Sequence, residues 1–178
     1  MREMIEIYFD GLCEPAYKGG PRNPGGVATY GYIIKKDDEV IRQEQKVIGE
    51  GRGMTNNVAE YSALLHALEY IGSEKNVIIK GDSMLVIQQL SGNWEIRSET
   101  SRKFIPLIEE RVKTKKVKYQ WIPREQNNVA DSLSRIAYEN YLKKRDGEYQ
   151  TTPESCTCPD FIFRKSKIGG KCKHILKL

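Results

Sequence analysis

The chain has 178 residues, 39% of them hydrophobic and 30% charged, with a formal net charge of +5. That size and balance support one packed domain with an appendage, and exclude a disordered or fibrous chain. No apolar run approaches the ~20 residues that span a bilayer, and the acidic N-terminus does not resemble a secretory signal, so a cytoplasmic protein without a membrane partner is expected.

Residues 1–12 form the first predicted strand. Ile5, Ile7 and Phe9 alternate with Glu6, Tyr8 and Asp10, and Gly11 follows the last acid at once. The Pro- and Gly-rich segment 14–26 is a loop. Strands over 27–36 and 40–49 complete an antiparallel meander around the turn Asp37-Asp38-Glu39. A helix over 55–71 carries an apolar stripe of Tyr61, Leu64, Leu65, Leu68 and Ile71, with Asn57 as its expected N-cap and Gly72 as its stop. A buried strand over 76–80 leads through Asp82 into a helix over 83–90. The segment 98–113 is helical in pattern, with a kink or a break expected near Phe104 because of Pro106. A fifth strand covers 117–122. A last helix over 128–144 is expected to face the core with Val129, Leu133, Ile136, Ala137 and Tyr141. The expected class is α/β: three antiparallel and two parallel strands in one mixed sheet, flanked by helices. The expected domains are 1–146, a linker at 147–153 and a small tail at 154–178.

Four acids stand at element ends: Asp10 after the first strand, and Glu60, Asp82 and Asp131 near helix starts. Asp82, Glu60 and Asp131 each have an ordinary explanation as a capping or first-turn residue. Gathered at one end of the sheet they would do something else. Pairs of carboxylates about 5 Å apart repel by roughly 3 kcal/mol at an effective dielectric near 20. Such a cluster therefore binds divalent metal or takes up protons.

The residues Tyr8-Phe9-Asp10-Gly11, Asn23-Pro24-Gly25-Gly26, Thr55-Asn56-Asn57 with Glu60, Gly81-Asp82-Ser83, and Trp121-Ile122-Pro123-Arg124 with Asn127 to Ser134 resemble type 1 ribonuclease H over residues 1–145. The resemblance implies endonucleolytic cleavage of the RNA strand of an RNA/DNA hybrid, leaving 5′-phosphate and 3′-hydroxyl ends. It implies two Mg²⁺ or Mn²⁺ ions, with Asp10 bridging them, Glu60 and Asp82 serving one and Asp131 the other. It also implies substrate contacts at Gly11, Cys13, Asn23, Thr55, Asn56, Asn57 and Arg124. Telling RNA from DNA takes hydrogen bonds to the 2′-hydroxyl, which amides and backbone groups supply. Double-stranded RNA is a second candidate substrate, and no obligatory protein partner is evident. The loop Pro123 to Asn128 lacks a histidine, leaving Arg124 as its nearest stand-in. Residues 89–103 hold no long basic extension, and extra residues (15–21) precede Asn23. In these respects the chain resembles the archaeal and shorter bacterial branch. A silent hybrid-binding module and a resolvase- or integrase-type nuclease of the same fold are the alternatives.

The tail holds Cys156, Cys158, Cys172 and His174 as C-x-C and C-x-H pairs, which resemble the SWIM zinc-binding motif. Three thiolates and an imidazole suit tetrahedral zinc. A disulfide from Cys172 to Cys156 or Cys158 is the competing reading. Six basic residues against two acids after Tyr149 give the tail a charge of +4, which suits a role in gripping nucleic acid.

Overall fold

The computed structural model describes residues 4–148 together with 156, 171, 172 and 176. Strands β1 (Ile5–Glu14), β2 (Val27–Lys36) and β3 (Glu39–Glu50) form the meander, followed by helix α1 (Asn56–Ile71), strand β4 (Asn76–Gly81), helices α2 (Met84–Leu90) and α3 (Glu99–Val112), strand β5 (Lys116–Trp121) and helix α4 (Asn128–Glu148). A short 3₁₀ turn, Arg124–Gln126, joins β5 to α4. The sheet order is β3-β2-β1-β4-β5, with β1 antiparallel to β2 and parallel to β4. The α/β mixed sheet is the expected one. Among the described residues no helix is long and apolar enough to cross a membrane.

The alternation in β1 divides the structure into two layers. Ile5, Ile7 and Phe9 are fully buried and pack with Ile79, Tyr61, Leu64, Leu68, Ile105 and Ile108 under α1 and α3. Burial of such side chains contributes about 1.5–3 kcal/mol each. On the other face α4 crosses β2 and β1. Gly31, the partner of Asp10 across the β1–β2 ladder, lets it approach: a Cβ there would lie 2.5 Å from Leu133 Cβ and 2.6 Å from the Ala130 carbonyl oxygen.

Four local expectations are corrected. Thr55, not Asn57, caps α1; its hydroxyl accepts from the Val58 amide at 3.1 Å. Helix α3 runs through Pro106 without a break. Pro106 and Arg102, whose carbonyl loses its donor, are both exposed, so water can satisfy that group. Phe104 meanwhile stacks on Tyr61 at 5.6 Å between centroids, and Ile105 and Ile108 anchor the helix. Val129 and Ile136 point outward, 44% and 41% exposed; the sheet-facing side of α4 is Ala130, Leu133, Ser134 and Ala137. The close crossing at Gly31 brings the backbone of α4 at Ala130 and Ser134, and the Cβ of Leu133, against the sheet. Finally, α4 continues through Gly147 and Glu148, the first residues of the expected linker.

Replacing Gly31 by Ala should force α4 off the sheet and destabilise the protein by about 1–3 kcal/mol, read as a lowered urea midpoint at unchanged slope.

Candidate active site

β1 and β4 run parallel, so their C-terminal ends lie side by side, with Phe9 registered against Gly81. The residues that follow, Asp10 and Asp82, are thereby brought together. Helix α1 delivers Glu60 from above. Its approach needs Gly11: a Cβ there would sit 2.1 Å from the Glu60 amide nitrogen. Asp10, Glu60 and Asp82 each offer a carboxylate oxygen, and the three oxygens lie within 4.8 Å of one another.

Asp131, in the first turn of α4, borders the same polar cleft of about 250 Å³ but is not in that triple. Its Oδ1 instead accepts a hydrogen bond from Arg124 Nη2. Asn56, Arg22 and Arg135 complete the walls, and Glu14 pairs with Arg22 at 3.0 Å. Three arginines thus rim a nest of acids.

Electrostatics follow from burial. Asp10 is 6% exposed, and burial pushes its carboxyl up to about 7; a hydrogen bond from Ser134 opposes this, while the charges of Asp82 and Asp131 add to it. Glu60 is driven well above the usual carboxylate range, by burial first and then by Asp10 and Asp82. Its Oε2 is buried with no hydrogen-bond partner. A buried carboxylate oxygen left unsatisfied among other acids is the donor set that a hard divalent cation requires. The residues therefore fit Mg²⁺ or Mn²⁺.

The other expected contacts fall in different places. Gly11, Asn56 and Arg124 line the cleft. Cys13 is 1% exposed; its N–H donates to Asn56 Oδ1 at 2.7 Å and its thiol to the Arg22 carbonyl at 2.9 Å, so both groups are engaged within the protein. Thr55 acts as the α1 cap, Asn57 is half-buried outside the cleft lining, and Asn23 is exposed in the loop before β2. Cys156 and Cys172 are buried; Cys158 and His174 lie outside the described residues.

Two residues of the last motif, Ser134 and Asn127, were given no role at the site from the sequence. Ser134 Oγ donates to Asp10 Oδ2. Asn127, 1% exposed, donates from Nδ2 to the Phe9 carbonyl at 2.8 Å and to Asp82 Oδ1 at 2.7 Å. The signal was their spacing: Asn127, Asp131 and Ser134 recur at helical intervals and so share one side of α4's entry.

A mixed five-stranded sheet flanked by helices, with acids at the ends of β1 and β4, defines an RNase H-like α/β fold. A family model described as reverse transcriptase-like matches residues 17–137, and the chain belongs to that family. A bifunctional protein of Mycobacterium tuberculosis is 31% identical over 127 residues, 68% of this chain and 34% of its own length. Ribonuclease HI of Halobacterium salinarum is 30% identical over 145 residues, 76% of this chain and 65% of its own. LC11-RNase H1, solved in complex with an RNA/DNA hybrid, matches with a TM-score of 0.63 at 31% identity, covering 78% of this chain and 99% of that one. The chain spans about a third of the length of its mycobacterial relative.

The shifts carry a pH signature. Asp10 and Glu60 both bind their protons more tightly in the folded state, so the metal-free protein should lose stability as pH rises above about 4. Asp10→Asn should reduce that slope and raise stability at pH 8 by about 1–3 kcal/mol, measured by metal-free thermal denaturation.

Proposed function

We propose that this chain is a metal-dependent endonuclease that hydrolyses the RNA strand of RNA/DNA hybrids, leaving 5′-phosphate and 3′-hydroxyl ends. The observation that carries the reading is the cluster of Asp10, Glu60 and Asp82, with a buried Glu60 oxygen lacking any partner. Support comes also from relatives named ribonuclease H and from the neighbour solved with a hybrid.

In this reading Asp10, Glu60 and Asp82 hold one divalent cation, and Asp10 with Asp131 holds a second. The chemistry such ions would supply there is activation of the attacking water and stabilisation of the leaving oxygen. The protein's own groups bind and orient. Ser134 fixes the Asp10 carboxylate. Arg124 and Arg135 present positive charge at the rim, where a phosphate would enter. Asn56 ties the end of β1 to α1 through the Cys13 amide, which sets the floor of the cleft. Discrimination against DNA would rest on contacts to the 2′-hydroxyl from amides and backbone groups near Gly11 and Asn56.

The tail is proposed to bind zinc through Cys156, Cys158, Cys172 and His174, and to add basic contacts to nucleic acid. Burial of Cys156 and Cys172 is compatible with ligation. Elemental analysis of the purified chain should find about one zinc per molecule, lost in Cys158→Ser; zinc-free protein would overturn this part.

With Mg²⁺ or Mn²⁺, a hybrid labelled on its RNA strand should be cut internally, and Asp10→Asn should lower kcat by roughly three orders of magnitude with KM little changed. Cleavage of duplex DNA but not of hybrid would indicate a different nuclease of this fold. Full activity of Asp10→Asn would refute the site.

A further inference from the structure

Asn127 stands immediately before α4, at the meeting point of three elements. Its side chain is sealed from solvent, at 1% residual exposure, and both hydrogens of its amide are spent. One goes to the carbonyl of Phe9, the residue before Asp10 on β1; the other goes to the carboxylate of Asp82, which follows β4. Its own backbone carbonyl accepts from the Asp131 amide at 3.0 Å and so starts α4. One residue therefore touches the chain at or beside three of the four acids.

That arrangement has a cost. Asn127 Oδ1 is buried with no hydrogen-bond partner, and an orphaned buried acceptor costs roughly 1–3 kcal/mol. An apolar residue would fill the same space without it. What the amide offers against that cost is its two donors.

We propose that Asn127 is a positioning residue for metal binding: by holding Asp82 Oδ1 against the fixed carbonyl of Phe9, it sets the distance and plane of the Asp82 carboxylate relative to Asp10 and Glu60. The physical reason is repulsion. Three acids within 4.8 Å push one another apart unless something pins them. Asp10 is pinned by Ser134, and Glu60 by its burial and the Gly11 amide. Asp82 lies at the start of the short helix α2, whose Ser83 makes no side-chain cap bond. Its carboxylate is oriented by Asn127. Groups that orient a metal's ligands typically change metal affinity by 10–100-fold when removed.

The inference rests on the nuclease reading only in taking the acids to be cation ligands, so its test begins with binding, not cleavage. Mn²⁺ is titrated into metal-free full-length protein, and the rise in melting temperature is followed. Asn127→Ala should raise the Mn²⁺ concentration for half-maximal stabilisation about tenfold or more. In an Asp82→Ala background the same substitution should change that concentration by less than about twofold, because the partner is gone. A merely structural role would lower the metal-free melting temperature and leave the Mn²⁺ midpoint unmoved. In hybrid cleavage the Mn²⁺ requirement should rise similarly while KM for the hybrid stays within about twofold.

Should Asn127→Ala not fold, Asn127→Ser, which keeps a polar group too short to reach both acceptors, decides by the same criterion. An unchanged Mn²⁺ midpoint, or an equal effect with Asp82 absent, overturns the proposal. Wild-type protein that binds Mn²⁺ with this Asn127 dependence yet cuts no hybrid would leave the positioning role standing and the nuclease reading refuted.

Discussion

Like charges held together against their repulsion are the constraint around which this protein is built. Asp10, Glu60 and Asp82 sit where parallel strands and a helix end converge, with one oxygen of Glu60 buried and unpaired. Their mutual repulsion alone would scatter them. What holds them is a set of close approaches that tolerate no bulk: Gly11 under α1 and Gly31 under α4. The core between β1, β4 and the α1–α3 layer supplies the stability against which that strain is set.

The division of labour between the two sheet faces follows from one strand. In β1 the apolar residues look toward α1 and α3, and the polar series ends in Asp10 beneath α4. Helix α4 and the residue just before it then contribute twice to the same place. Asn127 and Ser134 make hydrogen bonds to Asp82 and Asp10, and Asp131 faces the cleft beside Arg124. The cluster is thus assembled by elements that are far apart in sequence, and each acid keeps a neighbour that fixes it.

Much of this was legible in the residues. Strict alternation in Ile5, Ile7 and Phe9 announced a strand with one buried face, and the recurrence of acids at element ends announced the cleft. Other features were hidden for identifiable reasons. Val129 and Ile136 read as core because they are apolar, yet the tight crossing at Gly31 selects Ala130 and Ser134 for the inside. Pro106 reads as a break, yet it lies on an exposed face while Phe104, Ile105 and Ile108 hold α3 in place. Asn127 stood in the motif without a role of its own; only the parallel pairing of β1 with β4 puts two acceptors within its reach. Tertiary geometry, not local preference, decided each case.

Diffraction from crystals soaked in Mn²⁺, with data collected at the manganese absorption edge, addresses the cluster most directly. The expected result is an anomalous peak bounded by Asp10, Glu60 and Asp82, within coordination distance of an oxygen of each. Manganese bound elsewhere, with the three carboxylates empty or turned apart, would contradict it.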